Sequence, residues 1–123
     1  MATMTDRLIT PRLAEGFKDF PLYSQDGKGK DAVCVCVFFI GNIRWYVLEG
    51  QPERGDFVFF AIVVGLQETE YGYVSAEEME NIEIEREGQK LRITGLTGFV
   101  PRPLKEIRDE ELQAFLSDLY DNR

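Results

Sequence analysis

The sequence predicts an α+β fold: an antiparallel sheet of about four to six strands, with a central meander of three long strands, packed with short N-terminal, middle and C-terminal helices. Three observations carry this. Runs of β-branched and aromatic residues at 32–40, 43–49 and 57–64 follow one another across connections too short for a crossover helix, so they must pair antiparallel. The first and third runs are apolar at both odd and even positions, so both faces of the sheet need cover. Helix-start signals before periodic apolar residues supply that cover near both ends of the chain.

In chain order, Thr10 is a cap followed by Pro11 at the first helical position, and Leu13 and Phe17 share a face. That helix should stop near Phe20, because Pro21 disfavours helical backbone before it. Residues 23–31 form a polar loop with two glycines. Gly41-Asn42 joins the first two strands as a two-residue hairpin, and residues 50–56, with Pro52 and Gly55, form the next connection. A fourth strand at 71–74 runs into Ser75-Ala76-Glu77-Glu78, a capping box with Val74 and Met79 placed to staple it. Residues 84–93 read as a polar hairpin, and prolines extend residues 99–104. Leu112, Phe115, Leu116 and Leu119 mark one face of a C-terminal helix at about 109–121, with Asp109, Glu110 and Glu111 at its favourable end. Residues 1–123 are expected to form one domain, without repeat or linker.

Composition excludes several chemistries. The chain has no histidine, which removes His-based triads, imidazole bases and most zinc and iron sites. Cys34 and Cys36 are expected on one face of a strand as buried, inert thiols, too few for a disulfide framework and without further ligands for a metal. No metal, cofactor or catalytic residue is therefore assigned. The start of the chain carries no leader pattern and no apolar run approaches a membrane span, so a cytoplasmic, non-membrane protein is expected. Net charge is -8. Eight glutamates, the first Glu68 and the last Glu87, face one arginine in residues 68–87. That excess disfavours nucleic-acid binding and offers an acidic face to a basic protein partner. Solubility alone is the simpler explanation of such a face.

Gly27-Lys28-Gly29-Lys30 is not a Walker loop, because it precedes a strand and ends in Lys30-Asp31 rather than Lys-Ser/Thr. Its amides and lysines could still hold an anionic group. Across a hairpin turning at Gly41-Asn42, the outer strand ends lie together, placing Tyr23, Lys28, Asp31 and Glu49 at one rim of the sheet. Such a rim suits a small ligand, and equally a hairpin stabilised by cross-strand pairs, which is the preferred reading.

Several segments recur in a recognisable order. They are Pro21-Leu22-Tyr23-Ser24-Gln25-Asp26-Gly27-Lys28-Gly29 before an apolar strand with Phe38-Phe39, Trp45-Tyr46-Val47-Leu48-Glu49, and Val63-Val64-Gly65. Glu70-Tyr71-Gly72-Tyr73-Val74-Ser75 follows before an acidic helix, and Phe99-Val100-Pro101-Arg102-Pro103-Leu104-Lys105-Glu106-Ile107 closes the pattern. Over about residues 21–107 the chain resembles a small bacterial family of uncharacterised proteins, domain of unknown function 2958. Residues 84–93 depart from the pattern, and the helix after Ile107 extends beyond it. The resemblance implies a bacterial protein often carried with plasmid or integrated-element genes. It transfers no activity and no catalytic residue.

Together these readings favour a non-enzymatic interaction or accessory protein of a mobile element that binds a protein partner. The alternative is a small-molecule binder of anionic ligands, or an enzyme, working at the polar rim.

Overall fold

The structure, a computed structural model, describes residues 8–121. Met1–Arg7, where the sequence shows no leader pattern, lies outside the described residues. The chain has the expected α+β fold. Helix α1 (Pro11–Gly16) runs into a 3₁₀ turn at Phe17–Asp19, and the Thr10 hydroxyl accepts the Leu13 N–H at 3.1 Å, as its cap position requires. The strands are β1 (Val33–Cys34), β2 (Cys36–Ile40), β3 (Ile43–Glu53), β4 (Asp56–Val64) and β5 (Glu70–Ser75). After α2 (Ala76–Glu80) come β6 (Glu83–Arg86), β7 (Gln89–Arg92), β8 (Thr94–Gly95), β9 (Arg102–Pro103) and α3 (Glu110–Tyr120).

The main sheet has five strands in the order β5-β4-β3-β2-β8, every pair antiparallel. The β2–β3–β4 meander is the expected centre. Ile40 pairs with Ile43 across Gly41-Asn42, and β6 and β7 form the polar hairpin. The capping box at α2 is complete: the Ser75 hydroxyl accepts the Glu78 N–H at 3.0 Å, and the Glu78 carboxylate accepts the Ser75 N–H at 3.3 Å.

Two expectations about the strands need correction. The second strand does not stop at Glu49 but continues to Glu53, where Gln51, Pro52 and Glu53 pair with Val58, Phe57 and Asp56 around an Arg54-Gly55 turn. Pro52 is tolerated because β2 accompanies β3 only as far as Val47, leaving the far half of β3 without a sheet neighbour on that side. The first run is also interrupted. Val35 donates its N–H to the Val47 carbonyl at 2.8 Å while Cys36 is Val47's register partner, so two residues face one, as in a bulge. Alternation slips there, and Cys34 and Cys36 fall in opposite layers rather than on one face.

Both faces of the sheet are covered, as their apolar pattern demands. One carries Phe17, Phe38, Phe57 and Phe59 with Met79 of α2 and Ile93, the rings of Phe57 and Phe59 lying 5.2 Å apart. The other packs Val37, Tyr46 and Ile62 against Leu104, Leu112 and Leu116. Leu112 and Leu116 are fully buried, each contributing roughly 1.5–3 kcal/mol of apolar burial that fastens α3 to the sheet. No helix among the described residues is long and apolar enough to cross a membrane.

Gly65 closes β4 at φ +104°, and a Cβ there would stand on the Asn42 carbonyl, 2.9 Å from its carbon. Gly65→Ala should therefore destabilise the fold by about 2 kcal/mol or more in urea unfolding. A change under about 0.5 kcal/mol would show that the hairpin yields freely at this approach.

Candidate functional site

The rim is organised by a second irregularity. Between Val47 and Glu49 the β3–β4 register shifts: Val47 stands opposite Ala61 and Glu49 opposite Phe60, leaving Leu48 as the extra residue. Regular alternation would point Glu49 into the layer of Phe57 and Phe59. The bulge instead gives that place to Gly50, where an added Cβ would meet Phe57 at 2.7 Å. Glu49 turns to the opposite face beneath the 20–25 loop, only 2% exposed. There its carboxylate accepts the N–H of Tyr23 at 2.7 Å and of Gln25 at 2.8 Å.

Gln25 extends this fastening. Its side-chain amide donates to the Val33 and Leu48 carbonyls, both at 2.8 Å, and accepts the Val33 N–H at 2.6 Å. It thereby bonds both backbone groups of Val33, whose register partner in β9 is Pro103. Two further bonds complete the attachment of the loop to β3: Leu22 N–H to the Gln51 side chain at 3.0 Å, and Gly50 N–H to the Phe20 carbonyl at 2.9 Å.

Of the four residues expected at the rim, the structure joins Tyr23 and Glu49 and turns Lys28 and Asp31 elsewhere. Tyr23 is 63% exposed, at φ +74°, with its ring 6.5 Å from that of Tyr73. Asp31 lies in a 3₁₀ turn rather than at the start of a strand, and it pairs with Lys105 at 2.6 Å. Lys28 is exposed beside a shallow depression formed with Gly27, Gly29 and Lys30. Only Glu49 of the four lines a cleft of about 280 Å³ between the 25–29 loop and the aromatic rings of Phe60, Tyr71 and Tyr120. Phe60 and Tyr71 stack at 5.4 Å, and the hydroxyls of Tyr71 and Tyr120 share a hydrogen bond at 2.7 Å.

A second polar cluster fastens α3. Asp109 caps the helix, accepting Glu111 N–H at 3.0 Å and Leu112 N–H at 3.2 Å. It also receives Arg44 at 2.8 Å and the Tyr46 hydroxyl. Burial pushes the Asp109 carboxyl up, but the Tyr46 and Arg44 hydrogen bonds outweigh it and hold the group below the ordinary aspartate value. Burial and the neighbouring Asp109 raise the Tyr46 phenol. At the far end of α3, Asp121 receives Lys30 at 2.8 Å. The sequence marks Asp109 by its place ahead of Glu110 and Glu111. Nothing local marks its partners Arg44 and Tyr46, or the role of Gln25.

The thiols are far from nucleophilic. Burial pushes the Cys34 thiol up to about 12, and Cys36 also sits well above the ordinary range, chiefly through burial and then through Cys34. Among the described residues no group of three Cys, Asp or Glu could hold a metal ion.

These attachments set two measurable properties. Glu49→Gln leaves one backbone N–H facing an amide NH₂, and should cost about 1–3 kcal/mol in urea unfolding. Unchanged stability would show that Glu49 is not a structural anchor. The carboxylates that fasten α3, Asp109 and, through Lys30, Asp121, both lie below their ordinary 3.8. A depressed folded value means that their stabilisation is complete above the unfolded value and is lost as pH falls through the folded one. Acidification from pH 6 to pH 2 should leave α3 in place down to about pH 4 and release it below, read from the methyl resonances of Leu112 and Leu116. Loosening above pH 5 would contradict this assignment.

No curated protein and no solved structure matches the chain. A family model described as Protein of unknown function (DUF2958) matches residues 8–100, from the residues before α1 to the segment before β9. With well over half of its length matched, the chain belongs to that family.

Proposed function

We propose that the protein is a non-enzymatic interaction module, an accessory protein of a bacterial mobile element, which engages a basic protein partner through the acidic surface around β5 and α2. One observation carries the reading. Seven of the eight glutamates in residues 68–87 are exposed, all but Glu80, and none of the seven makes an ion pair among the described residues. In the β6–β7 hairpin, Glu83 and Glu85 stand opposite Arg92 and Lys90, which offset them. The uncompensated charge is therefore Glu68, Glu70, Glu77, Glu78 and Glu87, the first four lying along or beside a strand that ends the main sheet.

The division of labour among polar groups supports the same reading. Glu49, Gln25 and Asp109 are engaged by backbone donors or framework cations, and the four rim residues do not converge on one reacting position. A catalytic reading would need that convergence.

The test is affinity capture from a native host with the wild-type chain and with E68Q/E70Q/E77Q, which leaves the Glu78 cap intact. A basic partner should be retained at low salt and released as salt rises, with affinity falling on the order of tenfold in the variant. Retention indifferent to both salt and variant would overturn the acidic-surface reading.

A further inference from the structure

We infer that the cleft between the 25–29 loop, Phe60, Tyr71 and Tyr120 is a receptor for a guanidinium group, an arginine side chain of the partner protein. The source of the arginine rests on the function proposed above, whereas the chemistry rests on the cleft alone. At about 280 Å³ it falls just below the range of small-molecule pockets, roughly 300–1,000 Å³, and suits one long side chain. Its charged lining residues are Asp26 and Glu49, with no cation among them. Glu49 is buried, and its two N–H donors bring only partial charges, so its net charge has no counter-ion among the described residues. Asp26 is exposed at the mouth and also lacks an ion pair among them.

Neighbouring cations do not supply the missing charge. Lys30 is held by Asp121 and Lys105 by Asp31, while Lys28 borders the outer depression rather than the cleft. The opposite walls are aromatic. Phe60 and Tyr71 stack on each other, nearly parallel at 4°, and form an aromatic wall against which a guanidinium can lie while its fork meets the carboxylates. A lysine ammonium would lack the fork and the stacking plane. Tyr71 belongs to β5, the strand that ends the sheet. An extended segment lying along that strand therefore projects every second side chain toward the cleft side.

The experiment is an amide chemical-shift titration of the full chain with the capped tripeptide Gly-Arg-Gly, its citrulline counterpart, its lysine counterpart and free L-arginine. The expected result is saturable shifts at Gln25, Gly27, Gly29 and Tyr71 with the arginine peptide, absent with citrulline and weaker with lysine. D26N, a change at an exposed position, should weaken arginine binding roughly tenfold while the free protein's amide shifts change only next to the substitution. Silence at those amides, or equal response to citrulline, overturns the inference even if host-partner capture succeeds. Tighter binding of free arginine than of the peptide overturns the partner as source. Cleft shifts specific to the arginine peptide uphold the receptor even where capture fails, and capture then decides the acidic-surface reading by itself.

Discussion

The extra residue at Leu48 turns Glu49 out of the phenylalanine layer and under the 20–25 loop, and the loop, Gln25 and the cleft take their positions from that turn. An unshifted strand would place a carboxylate among Phe17, Phe57 and Phe59, at a desolvation cost of several kcal/mol. The bulge gives the same space to Gly50, where no side chain is needed, and supplies a buried acceptor exactly where a loop presents two backbone donors. Its neighbour Gln25 then bonds both backbone groups of Val33, whose register partner in β9 is Pro103. One local irregularity thus satisfies polar groups in three segments far apart in sequence.

The large-scale plan was legible because it follows from local chemistry. Short connections force antiparallel pairing, two-sided apolar strands demand lids on both faces, and the Ser75 and Thr10 caps mark where helices begin. The misread positions share a different cause. The slip at Val35 that separates Cys34 from Cys36, and the shift at Leu48, change which face a residue occupies, and each is set by pairing with a strand distant in sequence. The rim was accordingly half legible. Glu49 and Tyr23 do meet, but through a backbone N–H rather than side chain to side chain, while Asp31 is drawn away by Lys105, a partner 74 positions later. Arg44, Tyr46 and Asp109 converge only once α3 has folded over the sheet.

Helix α3 lies beyond the residues matched by the family model, yet it closes one whole face of the sheet and contributes Tyr120 to the cleft. Its attachment is electrostatic at both ends and apolar between, with Asp109 and Asp121 flanking Leu112 and Leu116. The cleft therefore joins a wall from the matched region to a wall from outside it. In this molecule the polar groups that burial would make reactive are tied to backbone, and the freely presented chemistry is acidic and aromatic. That combination is what the proposed recognition of a basic surface rests on.

Glu49 holds the 20–25 loop through backbone N–H groups, and site-resolved amide hydrogen exchange of the native chain tests that attachment. Tyr23 and Gln25 should exchange as slowly as the paired amides of β3 and β4, although both lie in a loop and Tyr23's side chain is exposed. Exchange at those two amides as fast as at unbonded loop positions would contradict it, and the position of the cleft would then lose its physical basis.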